Sequence, residues 1–356
     1  MSATWLGDSR HKVKAWLWQA PVLLLLGWVL WRVVDWGLLQ AVFRPDLDAC
    51  KALGHQGACW GVVTEKWRWW LFGRYPFEHH GRATLALACW AVSLAALIVP
   101  AWRGQLGTPR ARWAMGAALL SWLIGLAVLA GGWGGLPAVD SRLWGGLPLT
   151  VLLTVTSLAL SLPLAVLLAW ARLSRRAWLS WPAAAFIEVV RGGPLVMWLF
   201  MAAFVLPALL PASWGVGPVG RVLIVTVLFS AAYAAETLRG SLRVVAGEQS
   251  EAARMLGAGW WTSQKRVILP QAFRTALPSL VNHSIGVLKD TSLVMIVSLQ
   301  ELTGAMSMSL NGDADWRPFF LEAYLVIALA YVLMCQGVAT LGRRLEQQYP
   351  ALGSRH

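Results

Sequence analysis

Long apolar segments alternate with short polar ones along most of this chain of 356 residues. A helix needs roughly 20 apolar residues to cross the hydrocarbon core of a bilayer. The runs therefore predict an all-α integral membrane protein with about eight transmembrane helices, whose boundaries carry an error of about 2–4 residues. The predicted spans are 19–39, 84–102, 113–131, 147–171, 183–210, 221–238, 276–299 and 319–341.

The first and fifth runs need separate comment. The first follows the basic residues Arg10, Lys12 and Lys14 like the start of a signal peptide. Its apolar part is longer than that of a signal peptide and has no A-x-A site, so we predict a membrane anchor. The fifth contains Pro194 directly after two glycines. This pattern predicts either a plain proline kink or an interrupted helix whose backbone is open to a substrate.

Composition agrees with residence in a membrane. Hydrophobic residues make up 58% of the chain and charged residues only 13%, about half the charged fraction of soluble domains. Many of the 24 tryptophans lie near the ends of the predicted spans, where they would act as interfacial anchors.

The net charge of +13 raises the question of nucleic-acid binding, and the positions of the charges argue against it. Basic residues concentrate in alternate short loops, as expected for cytoplasmic loops. The opposite short loops hold one each, Arg142, Arg221 and Arg317. The long loop 40–83 carries six basic residues, but long loops translocate largely regardless of charge. We therefore predict eight helices with both termini in the cytoplasm, and no nucleic-acid partner.

Cysteine and histidine positions predict neither a metal site nor a cofactor. Cys89 and Cys335 lie in apolar runs, where free thiols behave as small hydrophobic side chains. Cys50 and Cys59 share a polar loop and would be able to form a disulfide if that loop is periplasmic; two unpaired cysteines are the alternative. His283 lies within a span, and we expect a hydrogen-bonded core histidine there.

Composition changes part-way along the chain. A glycine-rich link at 131–135 separates three leading spans from five later ones. We predict an N-terminal extension over 1–146, with three spans and a long periplasmic loop, and a five-helix core over 147–347.

The most informative segment is the predicted cytoplasmic loop at about 248–270. Residues 251–256 are strong helix formers, and Gly257 and Gly259 would then turn the chain. A second, short amphipathic run follows, and we expect Pro270 to terminate it. The pattern predicts a helix–turn–helix outside the membrane, longer than a simple connector.

This loop resembles the EAA motif of ABC-importer permeases. The matching residues are Glu251, Ala252, Ala253, Gly257, Leu269 and Pro270, while Val267 stands where the motif has isoleucine. The resemblance implies a coupling helix that docks on a separate ATPase subunit. The chain has no G-x-x-x-x-G-K-[ST] motif of its own. A chance amphipathic loop is the alternative.

Three further segments resemble the permeases of polar amino-acid importers. They read FIEVVRGGPL at 186–195, AAYAAETLRG at 231–240 and LKDTSL at 288–293. The leading spans and the GACW sequence at 57–60 look like the longer permease subunit of general L-amino-acid importers. The resemblance implies a multi-pass subunit of the bacterial inner membrane. Its expected partners are ATPase subunits, a second related permease in a heterodimer, and a periplasmic amino-acid-binding protein.

Ionisable residues within predicted spans are candidates for the substrate pathway, because an unpaired charge in a membrane costs several kcal/mol. A zwitterionic amino acid needs an anion for its ammonium group, for which we nominate Glu236 and Asp290. It needs a cation for its carboxylate, for which we nominate Arg191 and Lys289, with Thr291 and Ser292 in the same segment. Alternatively, these charges pair with one another or snorkel to the interface.

The sequence thus predicts a transporter subunit and not an enzyme, since it contains no catalytic constellation. The competing interpretation is a secondary transporter driven by an ion gradient. That class commonly has related halves, and no such repeat is visible in the sequence.

Overall fold

The structure is a computed structural model, which describes residues 6–54, 56–105 and 107–350. Within these ranges the backbone is almost entirely helical, apart from two isolated β-bridges. The α-helices are α1 (Leu6–Val34), α2 (Leu47–Leu53), α3 (Gly61–Phe72), α4 (His80–Trp102), α5 (Pro109–Ala130), α6 (Gly146–Leu173), α7 (Ala177–Gly192), α8 (Leu195–Phe200), α9 (Leu206–Leu209), α10 (Pro218–Met255), α11 (Trp260–Ser263), α12 (Leu269–Asp290), α13 (Leu302–Asn311) and α14 (Phe320–Gln348).

Seven helical stretches in the described chain are long and apolar enough to cross a membrane. They are Gln19–Leu39, Phe77–Trp102, Pro109–Ala130, Gly146–Leu173, Pro218–Gly247, Trp260–Val297 and Arg317–Gln348. Each contains or overlaps one of the predicted spans, so the all-α membrane fold is confirmed.

The remaining predicted span, 183–210, is not one straight helix. The stretches Ala177–Gly192 and Leu195–Leu209 meet at an angle of 103°. Gly193 and Pro194 both have extended backbone angles, because a residue before proline is pushed out of the α region and proline cannot continue the hydrogen-bond ladder. Of the two alternatives for this segment, the structure has the interrupted helix.

The chain divides into two compact units, and the smaller contains the residues up to Trp67 together with Leu310–Val326. Cys50 and Cys59 are joined by a disulfide, with Cα atoms 5.5 Å apart. The backbone N–H of Cys59 donates a 3.0 Å hydrogen bond to the carboxylate of Glu322, which is buried. Lys66 forms an ion pair of 2.5 Å with Asp313. These contacts tie the polar loop of this unit together.

The larger unit contains Arg68–Ser309 and the chain from Ile327 onward. Its α4 and α5 pack around Trp90 and Trp122, whose rings stack with centroids 4.9 Å apart. Alanines line the contact of α6 with α10, among them Ala165 and Ala235, which are fully buried. Small residues let two helix backbones approach closely within a membrane, where dispersion and hydrogen bonds drive packing.

Hydroxyl groups also join α6 to α10. Ser157 lies 2.8 Å from Thr226, and the hydroxyl of Ser230 donates to Ser161 at 2.9 Å. Ser230 also lies 2.9 Å from Nε2 of His283 on α12. His283 is thus the hydrogen-bonded core histidine that its position in the sequence predicted.

The contact-based units do not coincide with the predicted division at residue 146. The predicted division separates the first three spans from the last five by their sequence pattern. The two units of the structure instead group the residues that pack against one another. The division at 146 therefore stays a prediction.

Candidate functional site

Helix α10 runs without interruption from Pro218 to Met255. The predicted helix at 251–256 is therefore not a separate element but the C-terminal end of this 38-residue helix. A helix of that length spans about 57 Å, roughly twice the hydrocarbon thickness of a bilayer. Its motif-bearing end must consequently project beyond the membrane-spanning part.

The turn after α10 is built around Gly257, which has φ of +75°. The N–H of Gly257 donates to the carbonyl of Arg254 at 2.9 Å, and the N–H of Ala258 donates to the carbonyl of Ala253 at 3.0 Å. This pair of bonds is the Schellman motif, which satisfies the last carbonyls of a helix and requires a left-handed residue after it. The predicted turn at Gly257 therefore has a backbone reason to be glycine.

The expectation that Pro270 terminates the second run is wrong. The helical backbone continues from α11 through a π-helical segment, Gln264–Ile268, into α12, where Pro270 lies in the first turn. Proline there donates no N–H, and the first turn of an α-helix needs none. The π-helical turn that precedes it also replaces the α-type bonds that the proline ring would disrupt.

The turn exposes a large amount of apolar surface. Met255 is 90% exposed, Leu256 88% and Trp261 70%. Glu251 is also exposed, whereas Ala253 is buried against the rest of the unit. Apolar side chains clustered on a turn beyond the membrane span are typical of a surface that binds another protein.

Glu236 lies at the centre of a charged cluster on α6, α7 and α10. Its carboxylate accepts two hydrogen bonds from Arg239, at 2.5 and 2.9 Å. Arg172 and Arg191 each place a guanidinium nitrogen 3.9 Å from the same carboxylate. Arg172 also donates to Glu188 at 2.7 Å. The structure thus brings together two of the nominated residues, Glu236 and Arg191, and pairs them with each other.

Asp290 has a different environment. It ends α12 and is half-buried, and its carboxylate forms no hydrogen bond or ion pair with any residue that the structure describes. It lines a small cavity of about 20 Å³ together with Ser157, Thr226 and Ser230. A carboxylate without a partner, next to hydroxyl groups inside a helix bundle, is available to a cationic group.

The other nominated residues of this segment differ in their relation to the cavity. Lys289 is exposed. Thr291 is buried and also lines the cavity, and its hydroxyl donates to the carbonyl of Leu288 at 2.7 Å. The hydroxyl of Ser292 donates to the carbonyl of Lys289 at 2.8 Å. Both hydroxyl protons are therefore engaged by the local backbone.

Residues 161–349 match the family described as "Binding-protein-dependent transport system inner membrane component". The chain belongs to this family. It is 34% identical over 338 residues to the inner membrane amino-acid ABC transporter permease protein YhdY of Escherichia coli strain K12, covering 92% of this chain and 89% of that protein. It is 31% identical over 385 residues to the glutamate/glutamine/aspartate/asparagine transport system permease protein BztC of Rhodobacter capsulatus, with 92% and 88% covered.

A shorter relative aligns with only part of this permease. The glutamate/aspartate import permease protein GltK of Escherichia coli O6:H1 is 34% identical over 207 residues, which cover 56% of this chain and 91% of that protein. The long relatives thus share nearly all of this chain, whereas the short one shares little more than half.

Sequence reasoning missed a buried carboxylate in this permease, Glu301. It is fully buried and accepts hydrogen bonds from the hydroxyl of Tyr331 at 2.7 Å and from the N–H groups of Thr303 and Gly304 at 3.0 and 2.8 Å. Burial raises the pKa of Glu301, while these hydrogen bonds oppose that shift. Glu301 lies between two predicted spans, so a search confined to charges within spans does not find it.

Proposed function

We propose that this chain is a permease subunit of an ATP-driven importer of amino acids, coupled to a separate ATPase through residues 251–270. The observation that carries the proposal is the exposed apolar turn at the end of α10, where Met255 and Leu256 precede the motif residue Gly257. Glu251, Ala252, Ala253, Gly257, Leu269 and Pro270 would form or support this docking surface. A projecting turn of this kind is the part of the chain best suited to transmit a conformational change from a soluble subunit.

The orientation that we propose places both termini in the cytoplasm. It puts the α10 turn on the side with the basic loops, among them the one with Arg103, Arg110 and Arg112. It puts the Cys50–Cys59 disulfide in the periplasm, an oxidising compartment. Charge and redox chemistry thus favour the same orientation independently.

The complete importer would contain further subunits. The chain has no ATP-binding motif of its own, so ATPase subunits must be separate. A periplasmic amino-acid-binding protein would deliver substrate, and a second related permease would complete the pathway. Residues 147–347 would be the five-helix core of this subunit, and residues 1–146 an extension that the long relatives share.

Asp290 is the strongest candidate for contact with substrate. Its carboxylate is unpaired among the described residues and lies beside hydroxyl groups of α6 and α10, so it would accept the ammonium group of an amino acid. Lys289 and Arg191 are candidates for the carboxylate, with Thr291 and Ser292 alongside. Because Glu236 already neutralises arginines, we assign it chiefly to holding α6, α7 and α10 together.

The test is ATP-dependent uptake by the complete importer in proteoliposomes. The chain is co-expressed with the ATPase and permease genes adjacent to its own. Changing Glu251→Ala and Leu256→Ala together should reduce both recovery of the ATPase subunit and uptake by at least about tenfold, the effect of losing about 1.4 kcal/mol of interface energy. The matched control is Glu78→Ala with Leu85→Ala, an exposed pair outside the turn. Uptake without ATP, or normal ATPase recovery by the turn variant, would refute the proposal.

A further inference from the structure

A second cavity lies at the ends of α6 and α10, beside the turn that follows α10. Its volume is about 1000 Å³. Three arginines contribute to its lining: Arg175 and Arg176 from the link between α6 and α7, and Arg254 from the last turn of α10. The substrate pathway and the apolar docking surface do not account for these basic side chains.

The charge of this cavity is one-sided. Arg175, Arg176 and Arg254 are exposed, and their guanidinium groups form no ion pair or hydrogen bond with any residue that the structure describes. The lining contains no aspartate or glutamate among the described residues. Guanidinium groups bind phosphate oxygens in a bidentate manner, so the cavity is complementary to an anionic phosphate-bearing group.

The apolar part of the cavity reaches membrane depth. Leu167 belongs to the span Gly146–Leu173, and Leu242 to the span Pro218–Gly247. Both line the cavity together with the arginines, but Leu242 is only 2% exposed and belongs to the protein core, whereas Leu167 is 58% exposed. A small soluble anion would leave Leu167 uncovered, whereas an acyl chain would cover it.

Tryptophans complete the lining of the cavity. Trp170 on α6 lies 5.9 Å from Trp260 and 6.2 Å from Trp261 on α11, measured between ring centroids. The indole N–H of Trp170 donates to Gln264 at 3.1 Å. Tryptophan prefers the headgroup region of a bilayer, so Trp170, near the end of the span Gly146–Leu173, is suited to lie beside a lipid headgroup.

We propose that this cavity binds an anionic phospholipid, with the phosphodiester on Arg175, Arg176 and Arg254 and an acyl chain over Leu167. Basic pockets between transmembrane helices on the cytoplasmic side are suited to anionic headgroups. The assignment of the lipid to the cytoplasmic leaflet rests on the proposed orientation. Binding itself rests only on the membrane fold, and it would link the α6–α7 connection to the turn after α10.

Native mass spectrometry of the full chain in mild detergent tests the proposal. The chain is titrated with phosphatidylglycerol, with phosphatidylcholine of the same acyl chains, and with inorganic phosphate. We expect phosphatidylglycerol to bind at least about tenfold more tightly than phosphatidylcholine. The variant Arg175→Gln/Arg176→Gln should lose about thirtyfold in affinity for phosphatidylglycerol.

Arg110→Gln/Arg112→Gln is the matched control, since it removes the same charge from exposed residues of another basic loop. Should the first double variant fail to purify as a folded chain, Arg254→Gln replaces it, with an expected loss of about fivefold. Three results would each overturn the proposal: equal affinity for the two lipids, an equal loss in the control, or displacement of the lipid by millimolar phosphate. Displacement by the purified ATPase subunit would assign the cavity to a protein interface and overturn it as well. None of these measurements depends on uptake, so the transport proposal stands or falls separately.

Discussion

Arg191 on α7 lies 3.9 Å from Glu236 on α10. The two residues are 45 positions apart in the sequence, and they meet because the chain breaks directly after α7 and returns as α10. With Arg172 on α6 also 3.9 Å from the same carboxylate, one anion joins three helices. Removing that anion leaves neighbouring guanidinium groups without their common partner.

Glu236→Gln should therefore destabilise the fold by about 1–3 kcal/mol, because the charged hydrogen bonds from Arg239 are lost within a partly buried cluster. Thermal unfolding in detergent measures the effect. Glu188→Gln is the matched control, since Glu188 is 66% exposed and pairs with Arg172 at the surface; it should cost at most about 1 kcal/mol. Equal effects of the two substitutions would contradict the central role of Glu236.

Gly257 provides a test of the turn itself. With φ of +75°, Gly257→Ala should cost about 1–2 kcal/mol in the turn and weaken recovery of the ATPase subunit. Gly259 has φ of −65°, so Gly259→Ala should be tolerated by the backbone. Co-purification of the ATPase measures both variants. An equal loss in the two would show that the added methyl group obstructs the interface and that the backbone conformation of Gly257 is not the cause.

Glu301 predicts a pH dependence of stability. Burial raises the pKa of its carboxyl group in the folded chain, so the folded state holds the proton more strongly than the unfolded state. The stabilisation of the folded state by this proton is complete below the usual carboxyl pKa of about 4. It is lost as the pH rises through the pKa of Glu301 in the folded chain. As the pH falls through this range, the melting temperature of the unsubstituted chain should therefore rise relative to that of Glu301→Gln.

The same substitution tests the hydrogen bonds of Glu301. A glutamine has one acceptor oxygen in place of two, so Glu301→Gln should cost about 1–3 kcal/mol by leaving a buried donor unsatisfied. Glu78→Gln at an exposed position is the control. Unchanged stability of Glu301→Gln at neutral pH would mean that a neutral side chain satisfies the same donors.

The disulfide can be tested by labelling. In denaturant without reductant, a maleimide should modify Cys89 and Cys335 and leave Cys50 and Cys59 unmodified. Cys50→Ala/Cys59→Ala should destabilise the smaller unit by about 2–4 kcal/mol, whereas Cys89→Ala/Cys335→Ala removes no cross-link. Labelling of all four cysteines before reduction would place the loop in a reducing compartment and count against the proposed orientation.

The sequence was most informative about features that depend on local pattern. Run length and apolarity identified seven helical spans, although the helices Pro218–Gly247 and Trp260–Val297 extend well beyond the predicted 221–238 and 276–299. The EAA resemblance identified the family. It also indicated a turn at Gly257, because a helix that ends in a Schellman motif needs a left-handed residue. These features follow from neighbouring residues alone.

Features that depend on distant contacts were not predictable in the same way. The sequence did not decide between a proline kink and an interrupted helix at Pro194, because the angle between the two segments depends on how α7 packs. Pro270 was misread, since a π-helical turn accommodates a proline that would otherwise end a helix. Glu301 escaped notice because its burial depends on Tyr331, 30 residues away. The pairing of Glu236 with Arg172 similarly depends on the tertiary fold.

The uninterrupted course of α10 makes this helix a lever. Glu236 holds its middle against α6 and α7, and the projecting turn lies 19 residues further on at Met255, a distance of about 28 Å. A tilt of about ten degrees around Glu236 would carry the turn through about 5 Å, while the hydroxyl groups of Thr226 and Ser230, on the short arm, would shift in the opposite direction by less. Under the proposed coupling, a movement applied at the turn would reach the walls of the Asp290 cavity through this one helix, with the arginine cluster as its pivot.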